Sequence, residues 1–386
     1  MSAPLEGVVV ADFSRVLAGP LATMTLADLG ARVVKIERPG SGDDTRAWGP
    51  PYAASGMTTY FESANRGKES VTLDLTDSDD RERARAIIAR SDVVIENFRP
   101  GQFARLGFDW DTLSEQHPRL IYASVSGFGL GAGAGLPGYD FVAQAVGGLM
   151  HVTGEIDGDA MKAGVALVDV LTGKDAVIGI LAALRRRDAT GLGSRVDVNL
   201  LSSLQAALVN QISAHLGAEL EPGRLGNRHP SIAPYEVLRC ADAPLAVACG
   251  NDAQFAKMAA VLGVGELSTD ARFVRNSDRV AHRDELAAEL ETALARDDAA
   301  AWADRLNTVG VAAGVVNSIG EGIALAERLG LRPVHDVVGA DGRVSRQVRA
   351  PIAWTPGFPS APAAPPRLGE HTESVLRWLD DGPPVS

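Results

Sequence analysis

The chain has 386 residues, of which 46% are hydrophobic and 22% charged; this is long enough for two domains with sizeable cores and too apolar for a disordered protein. A net charge of −12 argues against nucleic acid or an anionic membrane as the main partner, so a polyanionic ligand would need a local basic pocket. The two cysteines, Cys240 and Cys249, form no metal-ligand pattern, no signal peptide is visible after Met1, and no apolar run approaches the ~20 residues that span a bilayer, so a cytoplasmic, metal-free protein is expected.

Gly7-Val-Val-Val-Ala-Asp12 is a run of strand length, Ala18-Gly-Pro20 opens a helix over Leu21–Leu29 stopped by Gly30, and Ala31–Glu37 is a second strand. A strand, helix and strand with an acid at the end is the layout of a mononucleotide-binding half, and Arg38 after it suits a ribose phosphate as well as a plain surface turn. Asn65-Arg-Gly-Lys68 leads into a strand over Ser70–Leu75, a charged helix follows at Asp79–Ala89, and Val93–Glu96 is a buried strand closed by Asn97-Phe-Arg-Pro-Gly101. Loops at the carboxyl ends of such strands carry ligands in open α/β sheets. Arg15 or Arg38, Arg66 or Lys68, and Asn97 or Arg99 would then form a basic crevice, with Arg105 beside it.

Leu120–Ser126 is a further strand that runs into a glycine-rich stretch. Gly133-Ala-Gly-Leu-Pro-Gly138 matches G-x-G-x-x-G, but Pro137 interrupts it and no second strand with an acid follows, so it reads as a flexible loop. Asp140 is placed to cap a helix over Phe141–Met150. Asp169 lies in Gly164-Val-Ala-Leu-Val-Asp-Val-Leu-Thr-Gly173, aliphatic on both sides, with an apolar helix continuing to Leu184. Burying even a neutral polar group without partners costs roughly 2–7 kcal/mol, so this acid is either a satisfied helix cap or a reactive group held ready.

Ser194–Leu200 alternates like a strand and precedes a long helix to Leu216. Glu221–Ser231 reads as a linker or binding loop before short strands at Tyr235–Arg239 and Leu245–Cys249 and helices at Gln254–Val261, Arg283–Ala295 and Ala299–Leu306. His335–Ser345 suggests a hairpin on Ala340-Asp-Gly, Pro356–Pro366 an extended connector, and Gly369 onward a terminal helix. The expected division is 1–220, a large Rossmann-like domain carrying Asp169; 221–330, a smaller α+β domain; and 331–386, returning to the first. No G-x-S-x-G, P-loop, H-E-x-x-H or C-x-x-C motif is present, and His229 with Cys240 reads as core rather than as a nucleophile pair.

Asp12-Phe-Ser-Arg-Val-Leu-Ala-Gly-Pro20, Leu26–Pro39, Asn65-Arg-Gly-Lys68, Glu96–Gly101, Gly138-Tyr-Asp140 and Gly369-Glu-His371 together resemble the family III (CaiB/BaiF) CoA-transferases over nearly the whole chain. Gly42-Asp-Asp-Thr-Arg46, Gly147–Gly154 and Ser231–Tyr235 are similar to the branch acting on succinyl-CoA and dicarboxylates such as glutarate. The resemblance implies an α/β fold with a Rossmann-like large domain and a smaller one, and two ring-shaped subunits interlocked as a homodimer. It implies CoA transfer from an acyl-CoA to a small carboxylic acid through an aspartyl mixed anhydride, with CoA as substrate and no covalently bound cofactor.

By position, Asp169 would be the nucleophile and Asp140 a supporting carboxylate. Arg38, Leu73, Asp74, Leu75, Thr76, Asn97, Phe98, Arg99, Arg105 and Tyr139 would bind CoA, while Val16, Leu17 and Ala18 would line the acyl site. Arg15, Arg228 and His229 are candidates for an acceptor's distal carboxylate. The same scaffold hosts α-methylacyl-CoA racemases, whose histidine would fall on Tyr139, a poor base at neutral pH, so racemisation is the alternative along with a CoA-binding non-enzyme.

Overall fold

The computed structural model describes residues 2–339, 341–358 and 363–381; Ala340 of the expected turn and residues 359–362 of the Pro-rich connector lie outside them. The chain divides into two compact units, one formed by the residues up to Leu149, Lys162–Leu220 and the chain from Arg332 onward, the other by Met150–Met161 and Glu221–Leu331. The segment Met150–Met161, which the sequence division places in the large domain, therefore groups with the second unit.

Six strands of the first unit form one parallel sheet: β1 (Val9–Asp12), β2 (Arg32–Glu37), β3 (Lys68–Thr72), β4 (Val93–Glu96), β5 (Ile121–Ser126) and β6 (Ser194–Asn199), in the order β3-β2-β1-β4-β5-β6. Helices cover both faces of the inner strands, which is why β1, β4 and β5 read as apolar runs, whereas β6 at the sheet edge alternates. Val10, Val33, Val93 and Ile121 pack against Ala22 and Leu26 of the Ala18–Asp28 helix and Ala176 and Ile180 of the Leu167–Thr190 helix. Their chain neighbours Ala11, Val34, Val94 and Tyr122 point the other way, onto Ile87, Ile88, Phe103, Phe108 and, from the terminal Thr372–Asp380 helix, Val375. Each large apolar side chain buried in these layers contributes ~1.5–3 kcal/mol.

The strand order reverses between β1 and β4, so the loops leaving their carboxyl ends run in opposite directions and open a crevice. Two helices expected from the sequence, Phe141–Met150 and the long one to Leu216, are broken instead. One gives Asp140–Val146 and Leu149–Val152, interrupted where Gly148 takes φ +98°; the other gives Leu200–Ala207 and Val209–Ala218, kinked at Val209. Strands β10 (Val334–Val338) and β11 (Val344–Val348) pair antiparallel in the same unit.

The second unit holds an antiparallel sheet of β7 (Tyr235–Arg239), β8 (Pro244–Ala248) and β9 (Ala312–Val315), packed through Leu238, Leu245 and Val247 onto Phe255, Leu290 and Trp302. Its third strand, Ala-Ala-Gly-Val, has too little β-propensity to be read from sequence and is specified by its pairing with β8.

Candidate active site

A cleft lies at the switch point of the parallel sheet. Its walls are Arg15–Ala18 after β1, Asp44, Asn97–Pro100 after β4, Val125–Gly127 at the end of β5, Leu136–Tyr139, Leu200 and Asp169. Gly127 and Gly138 cross so closely that a Cβ on Gly127 would come within 2.5 Å of the Gly138 Cα, so these glycines serve backbone approach at the cleft edge.

Asp169 occupies the third position of the Leu167–Thr190 helix, whose own N-cap residue, Ala166, offers no side-chain hydrogen bond. Asp140 fills that role from 28 residues away: its Oδ1 accepts from the backbone N–H of Val168 at 2.7 Å and of Asp169 at 3.1 Å. Asp140 is therefore not the cap of its own helix, as expected, but of its neighbour, while Tyr139 stands at its own N-cap position without a side-chain bond. Gln144 donates to Asp140 Oδ2 at 2.6 Å and accepts from the Ala163 N–H at 2.8 Å, tying the preceding loop to the same pair. One turn along the helix, a Cβ on Gly173 would lie 2.7 Å from the Ala18 carbonyl oxygen, so only glycine lets this helix press against the start of Ala18–Asp28 beside Asp169.

With Asp140 consuming the helix N–H groups, the Asp169 carboxylate accepts no hydrogen bond and makes no ion pair among the described residues. Burial, and then the Asp140 charge, push its carboxyl up to about 7. It is thus a half-buried acid divided between its two protonation states near neutrality.

The loop facing it is held at successive backbone groups. Ser14 N–H donates to Asp12 Oδ1 at 2.9 Å, Arg15 N–H to Asn97 Oδ1 at 2.8 Å, and Asn97 Nδ2 to the Arg15 carbonyl at 2.7 Å. Val16 N–H donates to Asp43 Oδ1 at 3.2 Å. Val16 has φ +71°, a left-handed conformation that costs a β-branched residue of order 1–3 kcal/mol and persists only when surroundings over-determine it.

Of the residues expected from sequence, Arg15, Val16, Leu17, Ala18, Asn97, Phe98, Arg99, Tyr139 and Asp169 meet in this cleft. Arg38, Leu73–Thr76 and Arg105 are not among its lining residues. Arg38 is exposed with its guanidinium 3.8 Å from Asp44, which Arg15 approaches at 3.5 Å. Leu73 sits in the core, Asp74 accepts from both the N–H and hydroxyl of Thr76, and Arg105 is exposed at the end of the short Gln102–Arg105 helix. Arg66 and Lys68 do not face a crevice at all. Arg66 forms a buried bidentate pair with Asp28, and the Lys68 ammonium is buried on Asp12, Asn65 and the Pro20 carbonyl. Arg228 is engaged by Glu236 and Asp284, and the His229 Nδ1 accepts from the Ser231 N–H.

Sequence reading missed Gln144, Asp43, Asp44 and Tyr60. Tyr60 packs edge-on to Trp48 at 5.2 Å, and burial followed by the Asp169 and Asp140 charges raises its phenol above the usual range. Among the described residues no cluster of three potential metal ligands occurs.

Comparison with known proteins bears on this geometry. Residues 5–372 match the model of CoA-transferase family III. A succinate–glutarate CoA-transferase of Agrobacterium fabrum is 41% identical over 98% of this chain and 96% of its own length. An acetyl-CoA:oxalate CoA-transferase of Acetobacter aceti is 43% identical over 84% of this chain and 83% of its own. The crystal structure of a CaiB/BaiF family protein from Brucella suis superposes with a TM-score of 0.88 at 40% identity, covering 98% of this chain and all of that one.

Proposed function

The chain belongs to CoA-transferase family III, and from that membership we propose that it moves CoA from succinyl-CoA to a small dicarboxylate such as glutarate, with Asp169 as the covalent nucleophile. The observation that carries the choice of residue is the Asp169 carboxylate itself: unpaired, half-buried and at the cleft wall, while its helix is capped by another acid.

An Asp169 carboxylate oxygen attacks the thioester carbonyl, the C–S bond breaks, and CoA leaves as thiolate from a mixed anhydride. The thiolate then attacks the aspartyl carbonyl and expels succinate. The acceptor carboxylate displaces the thiolate from the aspartyl thioester, and the thiolate finally attacks the acceptor carbonyl, freeing Asp169. No step requires a proton, so the absence of histidine from the described cleft lining favours this exchange over proton transfer beside the thioester. A weak nucleophile needs proximity and donors for the developing oxyanion; the Ala18–Asp28 helix, which begins at the cleft without a side-chain cap, and the 127–138 loop offer backbone N–H groups there.

The same reading gives the nucleotide end of CoA to Arg38, Leu73–Thr76 and Arg105, outside the cleft lining, and the chain leading to the thioester to Asn97–Arg99. It also includes an interlocked homodimer in the cytoplasm. Exposed Phe141, Val146, Ile178, Val209 and Leu216 supply apolar surface for a second copy, and the two free cysteines suit a reducing compartment.

The test is a CoA-exchange assay with succinyl-CoA against a panel containing glutarate, oxalate, mesaconate and acetate. Glutarate is expected to be the best acceptor, with released succinate equal to thioester formed. Exchange with acetate alone, or none with any acid, would remove the dicarboxylate assignment.

A further inference from the structure

We infer that Asp43, gripped by the buried Lys35 ammonium, is a positioning residue that fixes Val16 in its left-handed conformation and thereby sets the wall of the acyl cleft opposite Asp169. The inference deepens the transferase reading and rests on it.

Asp43 is 1% exposed and Lys35 is fully buried, so neither touches substrate. All four acceptances of the Asp43 carboxylate are internal. Oδ1 takes the Val16 N–H at 3.2 Å, the Thr45 N–H at 3.0 Å and the Thr45 hydroxyl at 2.8 Å, while Oδ2 takes the Lys35 ammonium at 2.9 Å. Lys35 also donates to the Ser14 carbonyl at 2.8 Å, so one ammonium ties the carboxylate to the very loop that the carboxylate holds. Burial would raise the Asp43 carboxyl, but Lys35 and the Thr45 donors hold it down at about 2, keeping it an acceptor at every working pH.

Two devices share the loop, and they act on different residues. Asn97 clasps both backbone groups of Arg15, whereas the Val16 N–H is held by Asp43. Without Asp43, Val16 would relax toward negative φ, the favoured region for a β-branched residue. That rotation swings Leu17 and Ala18, which line the cleft with Asp169, because they follow directly in the chain. Reacting atoms must meet within a narrow geometry, and an ångström of misplacement can cost ~100-fold in rate. Among the described residues, the non-glycines with positive φ are Val16, Val209, Glu219 and Arg332, and of these four only Val16 belongs to the cleft, which is where strain is expected to serve function.

A double-mutant cycle separates this from general destabilisation. Asp43→Ala is expected to lower kcat ~100-fold with KM for succinyl-CoA changed less than about threefold. Val16→Asn introduces a residue that tolerates the left-handed region; it carries its own loss, which the cycle subtracts. The double variant is expected to turn over at least ~10-fold faster than the product of the single losses allows, and pairing Asp43→Ala with Val16→Ala is expected to give no such recovery. Should Asp43→Ala fold poorly, Asp43→Asn keeps an acceptor for the Val16 N–H and is expected to lose less than ~10-fold in kcat. Additive losses in the Val16→Asn cycle, or equal loss in folded Asp43→Asn and Asp43→Ala, would overturn the inference. Asp169→Ala assayed alongside keeps the two questions apart: turnover by that variant defeats the nucleophile reading, whereas an inactive Asp169→Ala with an additive cycle defeats only the role of Asp43.

Discussion

Two sets of buried charge lie in the same unit and obey opposite rules. Under the strand ends, Asp12, Lys35, Asp43 and Lys68 are all buried, and each is matched by an opposite charge and further donors or acceptors. Burial opposes ionisation of Asp12 and Asp43, yet Lys68 and Lys35 win and both carboxyls stay below the usual range. At the cleft wall Asp169 has burial and a second acid, with no cation, and its carboxyl rises to about 7. The paired set holds backbone in place; the unpaired acid carries a burial cost that acylation, under the proposed mechanism, would relieve. Whether a buried charge is scaffold or chemistry is thus read from its partners, not from its burial.

The sharpest way to break that contrast is to orphan a member of the paired set. Lys68→Met leaves Asp12 with the Ser14 and Thr23 hydrogen bonds and the more distant Lys35 charge but no directly paired cation, and is expected to cost ~3–5 kcal/mol in urea unfolding at fixed protein concentration. A loss below ~1 kcal/mol would mean the pair is not what holds these strand ends.

The opposite outcome is expected at the cleft. The folded-state carboxyl of Asp169 is raised from 3.8 to about 7, so its ionisation costs nothing below pH ~4, costs progressively more up to pH ~7, and is fully felt above that. Asp169→Asn should therefore stabilise the protein by roughly 1–3 kcal/mol at pH 8, with the gain fading toward pH 4, since a half-exposed carboxylate carries only part of the full linkage energy. The same titration predicts that kcat/KM of the wild type falls about tenfold per pH unit below ~7. A stability gain independent of pH, or a flat kcat/KM between pH 5 and 7, would show that Asp169 is not the titrating group.

The smallest effect is expected at Arg38, whose side chain is 60% exposed and 3.8 Å from Asp44. Arg38→Ala should weaken CoA by about 1 kcal/mol and weaken dephospho-CoA less, as measured by titration calorimetry. Equal losses would move Arg38 away from the 3′-phosphate.

The contrast also explains what could be read in advance. The strands of the large unit and the crevice at their carboxyl ends were legible because a parallel sheet covered on both faces leaves apolar runs punctuated by loops. Asp169 stood out as an acid within aliphatic neighbours, which left a helix cap and a reactive group both open; its proposed role came with the family resemblance, and the cap reading falls because Asp140 caps that helix. Arg66 and Lys68 were misread as ligands since their partners, Asp28 and Asp12, lie 38 and 56 residues away, and local sequence does not reveal such pairing. Asp140 was recognised as a cap but given to the wrong helix for the same reason. Asp43 drew notice only as part of a motif, because its work on Val16 depends on a turn that folds back across 27 residues.

The most direct measurement is chemical capture of the acylated enzyme. Wild-type protein is mixed with succinyl-CoA, quenched with hydroxylamine, digested and mapped by mass spectrometry. An aspartyl hydroxamate at Asp169, absent when succinyl-CoA is withheld, is the expected result. Hydroxamate on another acid, or continued exchange by Asp169→Asn with no adduct at that position, would contradict the assignment of an unpaired Asp169 as the nucleophile.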